Sequence, residues 1–177
     1  MKNIKRTLWI AIVVGAFTLS AFAVDLVPTS ESLLQKVEKK NVLINIKGKQ
    51  RNAEDEKEDV ELVTEGVFYK ENARYYLVYT ESEVTGMDGT TTTVEIEREK
   101  VSIIRSGSVN NQLLFIPNRK TTSYYNTQFG SFSVSVLSTE VGVDVTDDGG
   151  VVNVGYKMDI NDAFASETTL SINIKEA

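Results

Sequence analysis

The chain has 177 residues, a formal charge of −6 and neither histidine nor cysteine. A chain of that length buries most of its apolar surface in a single domain, and without imidazole or thiol it has no His general base, no Ser-His-Asp or Cys-His pair, and none of the usual zinc, copper, haem or iron-sulfur ligands. The acidic balance argues against nucleic acid as a partner, because phosphate-backbone binders carry clustered Lys and Arg to displace counterions.

In chain order, the first 23 residues read as a secretory signal peptide. Lys2, Lys5 and Arg6 form a basic head, Leu8 to Leu19 is a mostly apolar run too short to span a bilayer, and Ala21-Phe22-Ala23 is a small-x-small cleavage pattern. Cleavage after Ala23 and loss of those three basic residues would move the formal charge from −6 to −9, giving an acidic, exported monomer with no stable membrane span. Residues 24–41 follow as an amino-terminal segment. Within it "TSESLLQKVEKK" has a cap at Thr29 or Ser30 and places Leu33, Leu34 and Val37 on one face, which predicts a short amphipathic helix.

From residue 42 to 177 the pattern is β. About ten alternating runs are expected at 42–48, 58–69, 74–84, 91–97, 100–106, 112–116, 121–126, 131–138, 150–160 and 168–175, separated by turn residues. The charged stretch Asn52 to Asp59 is read as a solvated loop, and "DDGG", Asp147 to Gly150, as a loop before the strand at Val151. "VVNVGYKMDI" shows the period of two, with Val152, Val154, Tyr156, Met158 and Ile160 on one face. Short hairpins in series predict an all-β, single antiparallel meander that closes into a barrel and so removes its exposed edges.

Four segments carry a resemblance to a known family: "VELVTEGVFY" (Val60 to Tyr69), "YYLVYTESEVTGMDGTTTTVEIE" (Tyr75 to Glu97), "VSIIRSG" (Val101 to Gly107) and "YNTQFG" (Tyr125 to Gly130). They resemble the YwiB-like family of bacterial proteins, a domain of unknown function grouped with the calycin β-barrels. The resemblance implies a calycin-like barrel from about Val42 to Lys175 and brings no activity, ligand or catalytic residue with it. An export signal is a departure from the family's usual pattern.

Register arithmetic nominates a site. A two-residue turn at Asp88-Gly89 would place Thr85 opposite Thr92, Glu83 opposite Val94 and Glu81 opposite Ile96. A second at Arg98-Glu99 would place Ile96 opposite Val101, Val94 opposite Ile103 and Thr92 opposite Arg105. Paired residues share a face, so Tyr79, Glu81, Glu83, Thr85, Thr92 and Arg105 lie with Val94, Ile96, Val101 and Ile103. That face is assigned to the interior, because the other carries Glu95, Glu97 and Ser102.

Two arrangements account for an inward row that turns from Val and Ile to Glu, Thr and Arg. Glu83 and Arg105 can simply pair in a side-chain-filled barrel, or Glu81, Glu83, Thr85, Thr92 and Arg105 can line a polar mouth for a small ligand. The expected function is a binder of a small molecule, without cofactor or metal; the alternatives are an interaction module of the cell envelope and a carboxylate enzyme using Glu65, Glu81 or Glu83. Tyr75, Tyr76, Tyr79, Tyr124 and Tyr125 are expected to pack the barrel. "DVTDDG", Asp144 to Gly149, fails the calcium-loop pattern at its third and last positions.

Overall fold

The structure, a computed structural model, describes residues 37–127 and 130–177, with the side chains of residues 125–131 left aside. Ten strands make up this part of the chain: β1 (Lys39–Asn52), β2 (Lys57–Glu71), β3 (Arg74–Thr80), β4 (Thr90–Glu97), β5 (Lys100–Gly107), β6 (Asn111–Phe115), β7 (Lys120–Thr127), β8 (Gly130–Thr146), β9 (Gly149–Ile160) and β10 (Ala163–Glu176). The signal-peptide expectation and residues 29–36 of the helix expected over Thr29 to Lys40 lie outside the described residues. Lys39 and Lys40, the end of that expected helix, begin β1 instead.

Every pairing is antiparallel, and the spatial order is β6-β5-β4-β3-β2-β1-β10-β9-β8-β7. The meander expected from the sequence is therefore present, joined through β1 and β10 by an eleven-pair register from Val42↔Glu176 to Asn52↔Ser166. The ladder ends at β6 and β7. These edges meet through side chains: the hydroxyls of Thr121 and Ser123 on β7 donate to the carbonyl oxygens of Leu114 (2.8 Å) and Gln112 (3.3 Å) on β6. The barrel is closed by a backbone ladder at one junction and by a hydroxyl seam at the other.

Local chemistry sets the hairpins. Asn72-Ala73 and Asn161-Asp162 take positive φ at both central positions, which matches the right-handed twist of the strands they join. The strands expected from the sequence form, but several run longer, and the one expected over 74–84 stops at Thr80. β8 continues to Thr146 and β9 starts at Gly149, so the expected loop around Asp147 to Gly150 shrinks to a tight turn; Lys57 to Asp59, expected in a charged loop, belong to β2. Acidic residues there face solvent on the outer surface and cost the strands nothing.

The core is one cluster. Val42 and Ile44 of β1, Phe68 of β2, Leu77 of β3, Val94 and Ile96 of β4, Val101 and Ile103 of β5, Phe115 of β6, and the inward valines and isoleucines of β8 to β10 are buried. Burying one such side chain contributes about 1.5–3 kcal/mol, and their period of two matches the pleat. Phe68 stacks on Tyr75 with ring centroids 5.4 Å apart, and Phe115 meets Tyr156 at 5.0 Å. Tyr76 stacks on Tyr69. Tyr124 corrects the packing expectation: it is 78% exposed on the edge strand β7.

Candidate functional site

The second of the two sequence-derived hairpins has the expected register. Ile96 pairs with Val101, Val94 with Ile103 and Thr92 with Arg105. The first does not. β3 ends at Thr80, and Tyr79, not Thr85, stands opposite Thr92. The chain leaves the sheet at Glu81, makes a 3-10 turn over Glu83–Thr85, and returns only at Thr90, with Gly86 and Gly89 at φ 69° and 73° absorbing the reversal. Two left-handed glycines allow this nine-residue excursion where the Asp88-Gly89 dipeptide alone suggested a tight turn. The register is displaced by six residues. Because six is even, Tyr79, Thr92 and Arg105 keep the inward face assigned to them.

The consequence is a change of partner. The expected pair of Arg105 and Glu83 is not formed: Glu83 is exposed in the 3-10 turn, and Glu81 takes its place. Glu81 is buried, with its side chain 2% exposed, and its Oε1 accepts a 2.6 Å hydrogen bond from the Thr92 hydroxyl. The same oxygen lies 3.7 Å from Arg105 Nε, an ion pair beyond hydrogen-bonding distance. Thr85, half-buried, donates its hydroxyl to the Ser82 carbonyl at 2.9 Å and so serves its own turn. The structure thus brings Glu81, Thr92 and Arg105 together and leaves Glu83 and Thr85 on the rim. Glu65 is exposed on β2, so the carboxylates weighed for acid/base work do not converge.

Register explains how the row is built. Tyr79, Thr92, Arg105 and Asn111 are successive partners across β3, β4, β5 and β6, all on one face. Asn111 Oδ1 accepts a 3.3 Å hydrogen bond from one terminal nitrogen of Arg105. The Arg105 side chain is 18% exposed, more buried than any other cation in an ion pair among the described residues. Its Nε is buried and donates to no protein atom.

Sequence reasoning missed the opposite wall. Tyr156 on β9 is flanked by Ser138 on β8 and Thr168 on β10 in the paired register. Both hydroxyl oxygens are buried and make no well-aligned hydrogen bond within the protein. Register shifts between Ser138 and Glu140 and between Phe164 and Ser166 kink these strands beside the two hydroxyls. The only signal in the sequence was the inward phase of Tyr156; bulges cannot be read from alternation.

Electrostatics link the two walls. Burial pushes the Tyr79 phenol well above the ordinary tyrosine range, and the negative charge of Glu81 pushes it further, against the opposing influence of Arg105. Burial raises Tyr156 as well, opposed by the neighbouring Thr168 hydroxyl and by the Arg105 guanidinium. Both phenols therefore stay neutral donors at physiological pH. Donors outnumber acceptors in the cluster: a guanidinium, the phenol of Tyr156 and the hydroxyls of Ser138 and Thr168 stand around a single carboxylate already engaged by Thr92 and Tyr79.

A groove of about 380 Å³ on the outer face of β2, β1 and β10 is lined by Leu43, Asn45, Val63, Ser171 and Asn173 among others. Among the described residues no group of three or more acidic side chains is placed to hold a metal ion.

Comparison with known proteins matches the fold. The chain is 26% identical over 105 residues to the "Uncharacterized beta-barrel protein YwiB" of Bacillus subtilis (strain 168), covering 59% of this chain and 72% of the relative. A solved structure described as the crystal structure of the ywiB protein from Bacillus subtilis superposes with a TM-score of 0.65 at 20% identity, covering 81% of this chain and 97% of the other. Residues 44–172 match the family model "Domain of unknown function (DUF1934)", a span from β1 to β10 that takes in the whole Glu81–Arg105 cluster, and the chain belongs to that family.

Proposed function

We propose that the protein binds a small polar molecule at the Arg105 end of its barrel and does not act on it chemically. The observation that carries this reading is the set of three buried polar atoms that make no well-aligned hydrogen bond to the protein: Arg105 Nε, held only by the longer-range attraction of Glu81, Ser138 Oγ, and Thr168 Oγ1, which has a looser contact with the phenol of Tyr156. Leaving a buried donor or acceptor unpaired costs about 1–3 kcal/mol, and native cores hold few of them. Several such atoms on facing walls match the small number of convergent polar groups that orient a ligand in an otherwise apolar pocket. The single carboxylate of the cluster, bound to Thr92, does not make the separated pair that glycoside chemistry needs.

A second reading has an observation in its favour. Fifteen buried hydrophobic side chains among the described residues fill the core of the barrel, as suits an interaction module whose polar end is purely structural. One experiment separates the two. Thermal unfolding of the protein with a panel of small polar metabolites, run beside Arg105→Gln, should show stabilisation of the unmodified chain by at least one compound and of the variant by none, since a ligand at a hundred times its dissociation constant adds about 2.7 kcal/mol. No response from either protein favours the filled barrel.

The compartment proposed is extracytoplasmic, supported by the basic head, short apolar run and Ala21-Phe22-Ala23 pattern. Intact mass of the protein recovered from its own cells tests it: a chain beginning at Val24 is expected, and a full-length cytoplasmic chain would remove the proposal.

A further inference from the structure

Resting on the binding reading above, we infer that the ligand presents a single carboxylate to Arg105, and that Glu81 is the internal anion that carboxylate must compete with. The site already accommodates the group in question. Glu81 places a carboxylate oxygen 2.6 Å from the Thr92 hydroxyl and 3.7 Å from Arg105 Nε, so it neutralises the guanidinium without satisfying it. Arg105 uses one terminal nitrogen on Asn111, which leaves Nε and the remaining donor edge of a rigid fork that fits carboxylates two bonds at a time.

The rest of the cluster selects for acceptors. Ser138 brings a hydroxyl with no well-aligned hydrogen bond, Thr168 one that makes only a loose contact with Tyr156, and Tyr156 a phenol that remains protonated, while the Tyr79 phenol is engaged by Glu81 and Thr92. A guanidinium N–H can only donate, and neutral phenols donate readily to an anion. A ligand whose own end is a donor, such as an ammonium, would meet Arg105 charge to charge. Charge balance then limits the anion. With Glu81 already opposite Arg105, a monocarboxylate leaves one net negative charge in the site, whereas a phosphate dianion leaves two beside a single cation, at a desolvation cost that no second cation offsets.

Competition with Glu81 makes the inference sharp. In Glu81→Gln the amide oxygen still accepts from Thr92, while the negative charge that holds Arg105 is gone. A carboxylate should then bind more tightly; a merely structural pair predicts no such gain.

The experiment follows the Arg105 Nε–H resonance by nitrogen-labelled NMR, assigned from its loss in Arg105→Lys, during titration with butyrate, its uncharged amide butyramide, and inorganic phosphate. The expected result is a saturable shift with butyrate, little or none with butyramide or phosphate, butyrate affinity about tenfold higher in Glu81→Gln, and, followed there through the backbone amides of Thr92 and Asn111, loss of butyrate binding in Arg105→Lys, which keeps the charge but not the fork. Equal shifts with butyramide, or a larger response to phosphate, overturn the carboxylate assignment and leave the binding reading standing. Stabilisation in the metabolite panel only by compounds lacking a carboxylate also overturns it. No shift with any probe, together with a silent panel, overturns both.

Discussion

Glu81 Oε1 lies 2.6 Å from the hydroxyl of Thr92 and 3.7 Å from Nε of Arg105. The carboxylate has given its short hydrogen bond to a neutral neighbour and only its longer-range attraction to the cation. In a structural ion pair of this burial the opposite division is expected, since an interior guanidinium offsets its desolvation best through short, paired N–H···O bonds. The division seen here leaves the arginine held in place and chemically unfinished.

Glu81→Gln should cost about 1–2 kcal/mol, because it leaves Arg105 without its counter-charge but keeps the acceptor for Thr92, whereas Glu81→Ala should cost about 2–4 kcal/mol by stranding both the Thr92 hydroxyl and Arg105. Urea unfolding with unchanged slope checks it. Equal losses in the two variants would mean that the charge, not the acceptor, carries the stability.

Above pH 10 stability should fall with a slope set partly by Tyr79 and Tyr156. Each folded phenol is raised above the ordinary value of 10.0, so each contributes stability that is intact below pH 10. That contribution is lost as pH climbs from there toward the folded value, because the unfolded chain ionises first. Tyr79→Phe should flatten the alkaline limb of a stability profile without changing the limb between pH 7 and 9. An unchanged alkaline limb would place Tyr79 in water.

The β6–β7 seam should be the first part of the barrel to open. Among the described residues, two side-chain hydrogen bonds stand there in place of a backbone ladder, whereas β1 and β10 share eleven paired positions. Thr121→Val should cost about 1 kcal/mol and speed amide exchange in β6 and β7 while leaving β1 and β10 unchanged, as local opening rather than global unfolding. Uniform acceleration in all four strands would show that the seam opens only with the whole barrel.

Gly66→Ala should destabilise by about 1–3 kcal/mol, the usual cost of overpacking. An added Cβ would stand 2.6 Å from Ile44 Cδ1 and 2.7 Å from the Val78 carbonyl oxygen, and 3.2 Å from Tyr79 Cβ, directly behind the polar cluster. The backbone of β3 cannot yield without moving Tyr79. Thermal unfolding gives the loss, and a response to ligand that weakens in step would tie the packing to the site.

Much of this was legible in the residues. The alternation in "TTTTVEIE" and the Arg98-Glu99 turn fix Thr92 opposite Arg105, and the structure has that pairing. Even the wrong register kept Tyr79, Thr92 and Arg105 on the right face, since an even displacement preserves side-chain phase, while Glu83 left the sheet for the exposed turn. The identity of the carboxylate was not legible, because it depends on where β3 stops. That is decided by two left-handed glycines and a 3-10 turn, a longer path than the Asp-Gly dipeptide advertises. Nor was the far wall: Tyr156, Ser138 and Thr168 are brought together by bulges and by curling of the sheet, and neither leaves a periodic trace in the sequence.

The binding account is tested most directly by a high-resolution crystal structure of the protein purified from its own cells without refolding. It predicts density for a small molecule within hydrogen-bonding distance of Arg105 Nε and of the Ser138 or Thr168 hydroxyl, with the Glu81–Thr92 hydrogen bond retained beside it. Density showing Arg105 turned out into solvent, or the three atoms paired with one another and no molecule between the walls, would contradict it.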